Sequence, residues 1–385
     1  MIPGARPTKQ KRVETLDIIP AKMQVIRHVR EKGVCPSCDG SFKTAEMPKQ
    51  PIPRSIASPA LLAHITTCKY VDGLPLYRQE EILRRIGVDI PRATLANWMI
   101  KLSELVKPLI NLIRERIIES PVITMDETHV QVLKEKGKKA SSRSFMWVMV
   151  GHDSGKKAVI FEYSSSRKSE VALRMLQEFE GTLVSDGYSA YPFVARVLGL
   201  RHAGCWDHAR RKFIEAAKGI KGEQGLAVEA LNLINALYRV ERNYKDEGVE
   251  QLHRARSIYS WSILRHLRKW LDRHLPDITP RSQTGKAMHY LANEWERLVV
   301  FLEDGCIPVS NQAAENAVRP FVIGRKAWLF SASTKGAEAS ASLYSLVETA
   351  KANGIEPFSY LKKIFTELPA AETIEDIEKL LPWHK

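Results

Sequence analysis

Apolar residues recur at helical spacing in three successive stretches, "SPALLAHITTCKYV", "LPLYRQEEILRRIG" and "PRATLANWMIKLSELVKPLINLIRERI". A helix ending at Gly87, the link "VDIP" and a helix entered through Pro91 make a helix-turn-helix pattern. In this reading Leu95 and Trp98 face inward, while Arg92, Thr94 and Asn97 point outward from the first turns of the second helix. Upstream, residues 1–50 are basic and turn-rich, with one β-like run, "AKMQVIRHVR", leading to "CPSC". "PKQPIPRSIASP" (48–59) reads as a linker because its prolines interrupt both periods.

The period changes at Pro121. "PVITMDETHVQVL", "RSFMWVMVGHD" and "KKAVIFEYSS" alternate as strands joined by short links. "SEVALRMLQEF" returns to helical spacing, and "GTLVSDGYSAY" reads as a buried strand ending at Asp186-Gly187. "RHAGCW" follows as a fifth strand that runs into the helix "DHARRKFIEAA". Strands and helices in this order form a mixed α/β sheet. From about residue 219 to 305 the pattern is helical throughout, and "SNQAAENAVRP" (310–320) opens a further helix.

Three carboxylates stand out against this pattern. Asp126 closes the apolar run "VITMD" and Asp186 closes "TLVSD". Burying a charge is costly unless it is paired or bound to a metal, so an aspartate where an apolar strand opens is a candidate ligand. For Asp186 the plain alternative is a turn-initiating aspartate before glycine. Glu315 lies in a polar, alanine-spaced first turn and is the downstream partner that such a pair of aspartates would need. Three carboxylates suit Mg²⁺ or Mn²⁺, and two such ions can run an in-line phosphoryl displacement. Arg319, Arg325 and Lys326 follow Glu315 as candidate contacts to DNA phosphates.

Charge and cysteines sharpen the picture. The net charge is +14, and residues 1–117 hold 20 Lys and Arg against 11 Asp and Glu, which favours a polyanionic partner. Nothing in the sequence resembles a membrane span or a signal peptide, so a cytoplasmic, nucleoid-associated protein without a membrane partner is expected. Five scattered cysteines do not make a disulfide framework. Cys35 and Cys38 are a pair, but structural zinc takes four ligands and His28 supplies a third at most, so they form an incomplete zinc site. Cys205 and His208, in "CWDH", read as structural residues that stabilise the corner between a strand end and a helix start.

"MDET", "SDGY", "GCWDHARRKF" and "NQAAENAVRPFVIGRKAWLFS…ASASLYSLVETAKANG" together resemble the transposases of the insertion-sequence 66 family. "LDIIPAKMQVIRHVR", "CPSCDG", "PIPRSIASPALLAHI" and "LPLYRQEEILRRIG" match in the same order upstream, so the resemblance runs from about residue 14 to the C-terminus. It implies a ribonuclease H-like catalytic domain in which Asp126, Asp186 and Glu315 are an Asp–Asp–Glu triad holding two divalent ions. The expected division is a partial zinc-ribbon-like segment (1–50), a helix-turn-helix DNA-binding domain (51–117), the first part of the catalytic domain (118–218), a helical insertion (219–305) and a completing segment with the Glu-bearing helix and C-terminal helices (306–385). The family carries a further Cys-x-x-Cys upstream, which makes this chain look N-terminally shortened.

The resemblance implies cleavage of element ends and strand transfer into target DNA. The partners are double-stranded DNA, namely terminal repeats and target, with a homo-oligomer on DNA and helper proteins. Two rivals stand beside it. One is a non-catalytic DNA-binding relic or regulator acting through residues 51–117. The other is a junction-resolving nuclease of the same fold class, which has little need of a separate N-terminal DNA-binding module.

Overall fold

A computed structural model describes residues 14–18, 22–34, 42–153, 155–218 and 225–384. Two short antiparallel strands come first, β1 (Lys32–Val34) and β2 (Phe42–Thr44). Four helices follow: α1 (Pro59–Tyr70), α2 (Leu76–Arg85), α3 (Arg92–Leu105) and α4 (Lys107–Ile118). The strands β3 (Val122–Lys134), β4 (Arg143–Gly151) and β5 (Ala158–Ser164) lead through α5 (Ser169–Met175) to β6 (Thr182–Ser185). Then come α6 (Ala190–Leu198), β7 (Arg201–Gly204) and α7 (Trp206–Lys218). The helices α8 (Leu226–Tyr244), α9 (Val249–Ala255), α10 (Trp261–His274) and α11 (Gln283–Leu298) stand between α7 and α12 (Gln312–Trp328). The chain closes with a short strand β8 (Ser331–Ser333), α13 (Thr334–Ala352), α14 (Pro357–Glu367) and α15 (Ile374–Glu378).

The main sheet has the order β5-β4-β3-β6-β7. β3, β4 and β5 are antiparallel, while β6 and β7 run parallel to β3. β3 does not end at Asp126: it continues to Lys134, in line with the strand read in "PVITMDETHVQVL", and Asp126 pairs with Val148 of β4. What ends instead is its other neighbour: β6 pairs with β3 only at Val122, Ile123 and Thr124. A crevice opens there, at the carboxyl ends of the parallel strands, where ligands of open α/β sheets usually bind.

β5 is an edge strand, and α13 covers it. Ser345 Oγ accepts the Phe161 N–H at 2.8 Å, and Thr349 Oγ1 accepts from Val159 N at 3.1 Å and donates to Val159 O at 3.0 Å. Asn353 repeats the pattern at Lys157, accepting its N–H and donating to its carbonyl. Four helical residues advance about 6 Å, and two strand residues about 6.8 Å. Polar side chains every fourth residue of α13 therefore meet every second residue of β5, which closes an edge that would otherwise pair with another chain. This accounts physically for Ser345, Thr349 and Asn353 in "SLVETAKAN".

Two apolar cores flank the sheet. One joins α1–α4, β3–β5 and α12–α14 through Leu95, Trp98, Leu102, Phe161, Phe321 and Tyr344. The other joins the β6–β7 side to the inserted helices through Val184, Trp206, Phe213, Leu267 and Met288. Leu95, Trp98, Met99 and Leu102 of α3 are buried, and α3 packs on α13. The four N-terminal helices thus share their core with the sheet instead of forming a core of their own. The stretch read as a linker is also partly interior: Ile52 and Ala57 are buried in that same core, and the Ser58 side chain caps α1. The β-like run ahead of "CPSC" is corrected too. Residues 22–31 form no strand and are exposed, and the strand of this segment, β1, begins only at Lys32. Among the described residues no helix is long and apolar enough to cross a membrane.

The inserted helices are pinned by one buried cation. Arg256, between α9 and α10, makes two hydrogen bonds to the Glu241 carboxylate at 2.8 and 2.6 Å. It also donates to the carbonyls of Phe301 and Asp304. Its side chain is 1% exposed, so every donor must find a partner inside the protein. Glu241→Ala strands that charge, and denaturant unfolding is expected to show a loss of about 3–5 kcal/mol. A loss under about 1 kcal/mol would mean that water reaches Arg256.

Candidate active site

Three chain segments deliver one carboxylate each to the crevice. Asp126 comes from β3 just beyond the point where β6 leaves it, Asp186 follows β6 directly, and Glu315 stands in the first turn of α12. Their charges act on one another. The Asp126 carboxyl is pushed up to about 7, chiefly by burial, with Glu127, Asp186 and Glu315 adding to the rise. The backbone N–H of Glu127, which donates to Asp126 Oδ1 at 2.8 Å, offsets part of it. Asp186 is held in the same way, its Oδ1 accepting the Tyr188 N–H at 3.0 Å. In each aspartate one oxygen is tied to backbone and the other is left for a ligand.

Asn311 brings the glutamate-bearing helix to this place. It is fully buried at the start of α12, and its Nδ2 donates to the Met125 carbonyl at 2.7 Å. Its own N–H donates to Cys205 Sγ at 3.2 Å, and Trp206 N donates to Val309 O at 3.1 Å. α12 is thereby fastened both to the residue before Asp126 and to the corner after β7. Glu315 Oε1 lies 3.7 Å from His208 Nδ1, and Oε2 lies 3.6 Å from Arg211 Nη2. Gly187 is closely approached here: a Cβ would lie 3.1 Å from the Tyr290 ring that α11 lays over the Asp186 turn.

On the opposite face of β3, Glu127 anchors a second network. Its carboxylate accepts from Arg167 Nε at 2.7 Å and from the Tyr191 hydroxyl. The Arg167 guanidinium lies over the Tyr188 ring at 3.8 Å, and the Tyr188 hydroxyl donates to the Arg167 carbonyl at 2.7 Å. Burial raises the Glu127 carboxyl above the usual range, and Tyr191 and Arg167 offset part of that rise. The chain around both aspartates is therefore tied together by one Glu–Arg–Tyr cluster built on the buried Glu127 carboxylate.

The sequence reading did not single out Asn311, Glu127, Arg167, Tyr191 or Arg211. Two signals were present. Asn311 is a cap-type residue at a helix start, and Glu127 in "MDET" must face away from Asp126 by strand alternation. The expected DNA contacts divide. Arg92 and Asn97 are exposed and Thr94 is half-buried on the first turns of α3. Arg319 and Lys326 are exposed on α12, but Arg325 turns inward, donating to Thr128 Oγ1 at 3.1 Å and to the His129 carbonyl. Arg325 therefore braces α12 against β3. Cys205 is buried and accepts from Asn311. Cys35 and Cys38 lie outside the described residues.

Comparison with known proteins puts the chain among transposases. Residues 54–339 match the family described as "Transposase IS66 family", and residues 345–383 match the IS66 C-terminal element. Residues 5–39, which include Cys35 and Cys38, match the zinc-finger binding domain of transposase IS66. The chain belongs to the IS66 transposase family. It is 32% identical over 383 residues to the uncharacterized protein y4jD of Sinorhizobium fredii, covering 96% of this chain and 74% of that one. It is 31% identical to y4qI of the same organism, covering 97% and 71%.

The raised Asp126 pKa has a consequence for stability. An acid raised above its unfolded value of about 3.9 favours folding while protonated. That contribution is complete below the unfolded value and is lost as pH rises through about 7. With chelator present, Asp126→Asn is expected to melt above wild type at about pH 8 and to match it near pH 4. Thermal melts across this range check the sign, and a gap that does not change with pH would place Asp126 at an ordinary pKa.

Proposed function

We propose that this chain is a DNA transposase with a ribonuclease H-like catalytic domain. In this reading Asp126, Asp186 and Glu315 are the triad for metal-dependent cleavage of element ends and strand transfer. Three antiparallel strands followed by two strands parallel to the first, with the carboxylates at the crevice, support the ribonuclease H-like assignment. The observation that carries the functional reading is the convergence of the three carboxylates: Asp126, raised chiefly by burial, also feels the charges of Asp186 and Glu315.

The residues fit hard divalent cations. The donor set is all oxygen, and Glu315 Oε1 is buried without a hydrogen-bond partner among the described residues. Asp126, Asp186 and Glu315 would hold Mg²⁺ or Mn²⁺, which supplies activation of the attacking oxygen and stabilisation of the leaving oxygen. The chain's own part is placement. Asn311 sets the distance of Glu315 from β3, and the backbone N–H groups of Glu127 and Tyr188 orient the two aspartates. Arg319 and Lys326, exposed on α12, suit contacts to the DNA backbone beside the site. The exposed first turns of α3 offer Arg92, Thr94 and Asn97 to duplex DNA, as a recognition helix would.

Labelled element-end DNA with Mg²⁺ or Mn²⁺ tests the chemistry. Asp126→Asn, Asp186→Asn and Glu315→Gln should each abolish cleavage while leaving DNA affinity largely intact, because each removes a ligand charge with little change of shape. Full activity in any one of them would remove that residue from the triad.

DNA recognition is tested separately in the full chain, on a duplex selected for tight binding and on random duplex at matched salt. If Arg92 reads a guanine, Arg92→Ala should cost about 1–3 kcal/mol on the selected site and much less on random DNA. Equal losses on both would reduce Arg92 to a phosphate or surface residue.

A further inference from the structure

We infer that His208 is a further metal ligand, a nitrogen donor to the divalent ion held by Glu315. This rests on the carboxylate site proposed above and adds a residue from another element to it. His208 Nδ1 and Glu315 Oε1 face each other at 3.7 Å. Both atoms are shut off from solvent, and neither has a hydrogen-bond partner among the described residues. Buried polar atoms are rarely left unpaired, and two of them aimed at one point mark a place for a shared partner. The separation is too long for an N–H···O bond. Adjacent donors of an octahedral ion, each about 2.1 Å from it, stand about 3.0 Å apart, so the pair needs to close by less than about 1 Å to share one ion.

The surroundings leave His208 free for this role. Its helix start is fixed by Trp206 N to Val309 O, and Asp207 Oδ1 accepts the Tyr238 hydroxyl at 2.6 Å. Cys205 Sγ lies within 4.8 Å of both ligand atoms but already accepts the Asn311 N–H, so the sulfur orients α12. Arg211, one turn beyond His208, is more than half exposed and balances the other Glu315 oxygen. An imidazole nitrogen is a softer donor than a carboxylate, so the site favours transition ions over Mg²⁺ more than three carboxylates alone would.

Pulsed electron paramagnetic resonance of Mn²⁺ bound to the full chain tests this without reference to activity. Wild type should show coupling of Mn²⁺ to a nitrogen nucleus. In His208→Ala and His208→Gln that coupling should vanish, and Mn²⁺ affinity should fall about 10-fold or more, since even residues that only orient ligands cost that much. Mg²⁺ affinity should fall less. Wild type with bound Mn²⁺ and no nitrogen coupling, or coupling that survives both substitutions, overturns the inference. Absence of Mn²⁺ binding overturns it as well. Asp126→Asn separates the two readings. If it removes Mn²⁺ while wild type lacks nitrogen coupling, the carboxylate site stands and His208 does not belong to it. If it leaves both Mn²⁺ and the coupling in place, His208 is a ligand and the three-carboxylate reading fails.

Discussion

A single buried amide, Asn311, holds the carboxylate-bearing part of the molecule in register. Its side chain grips the carbonyl of Met125, one residue before Asp126, while its backbone N–H grips the sulfur that ends β7. The first bond ties α12 to the central strand and the second ties it to the sheet's far side. Everything that Glu315 can do follows from this, because α12 is separated from β7 by the whole set of inserted helices. Without an anchor at its first residue, a helix returning from so long an excursion would have no fixed height against the sheet.

The crevice that receives Glu315 is made by a strand that stops. β6 pairs with β3 for three residues and then turns away at Asp186, which leaves Asp126 in mid-strand with no strand paired to it on that side. A carboxylate there is held against burial and against its neighbours' charges, and so the Asp126 pKa rises. On the other face Glu127, Arg167, Tyr188 and Tyr191 are hydrogen-bonded together, which ties β3 to the chain that follows Asp186. Stored repulsion between placed carboxylates is what a cation-binding site requires of its protein.

The rest of the fold serves to keep that sheet closed and rigid. α13 satisfies the outer edge of β5 with Ser345, Thr349 and Asn353, and its other face packs on α3. The surface that offers Arg92 and Asn97 is thereby coupled through α13 to the strand system carrying Asp126. On the other side Arg256 and Glu241 pin the inserted helices, and α11 lays Tyr290 over Gly187 at the Asp186 turn. The N-terminal helices thus reach the carboxylate site by way of the sheet, and the inserted helices touch it directly at Gly187.

Much of this was legible in the sequence, because strand and helix periods are local. The three antiparallel strands, the strand ending at Asp186 and the helix starting near Glu315 follow from the spacing of apolar residues, and the motifs place the chain in its family. The sequence also marked the three carboxylates, since a charge closing an apolar run is costly wherever it falls. It did not reveal that α3 shares a core with α13, that Ile52 is interior, or that Arg325 turns inward. Those outcomes depend on which elements meet, and a local period says which face is apolar without saying what covers it. Asn311 is the clearest case: a polar residue at a helix start reads as an ordinary cap, and only the tertiary structure put the carbonyl of Met125 within its reach.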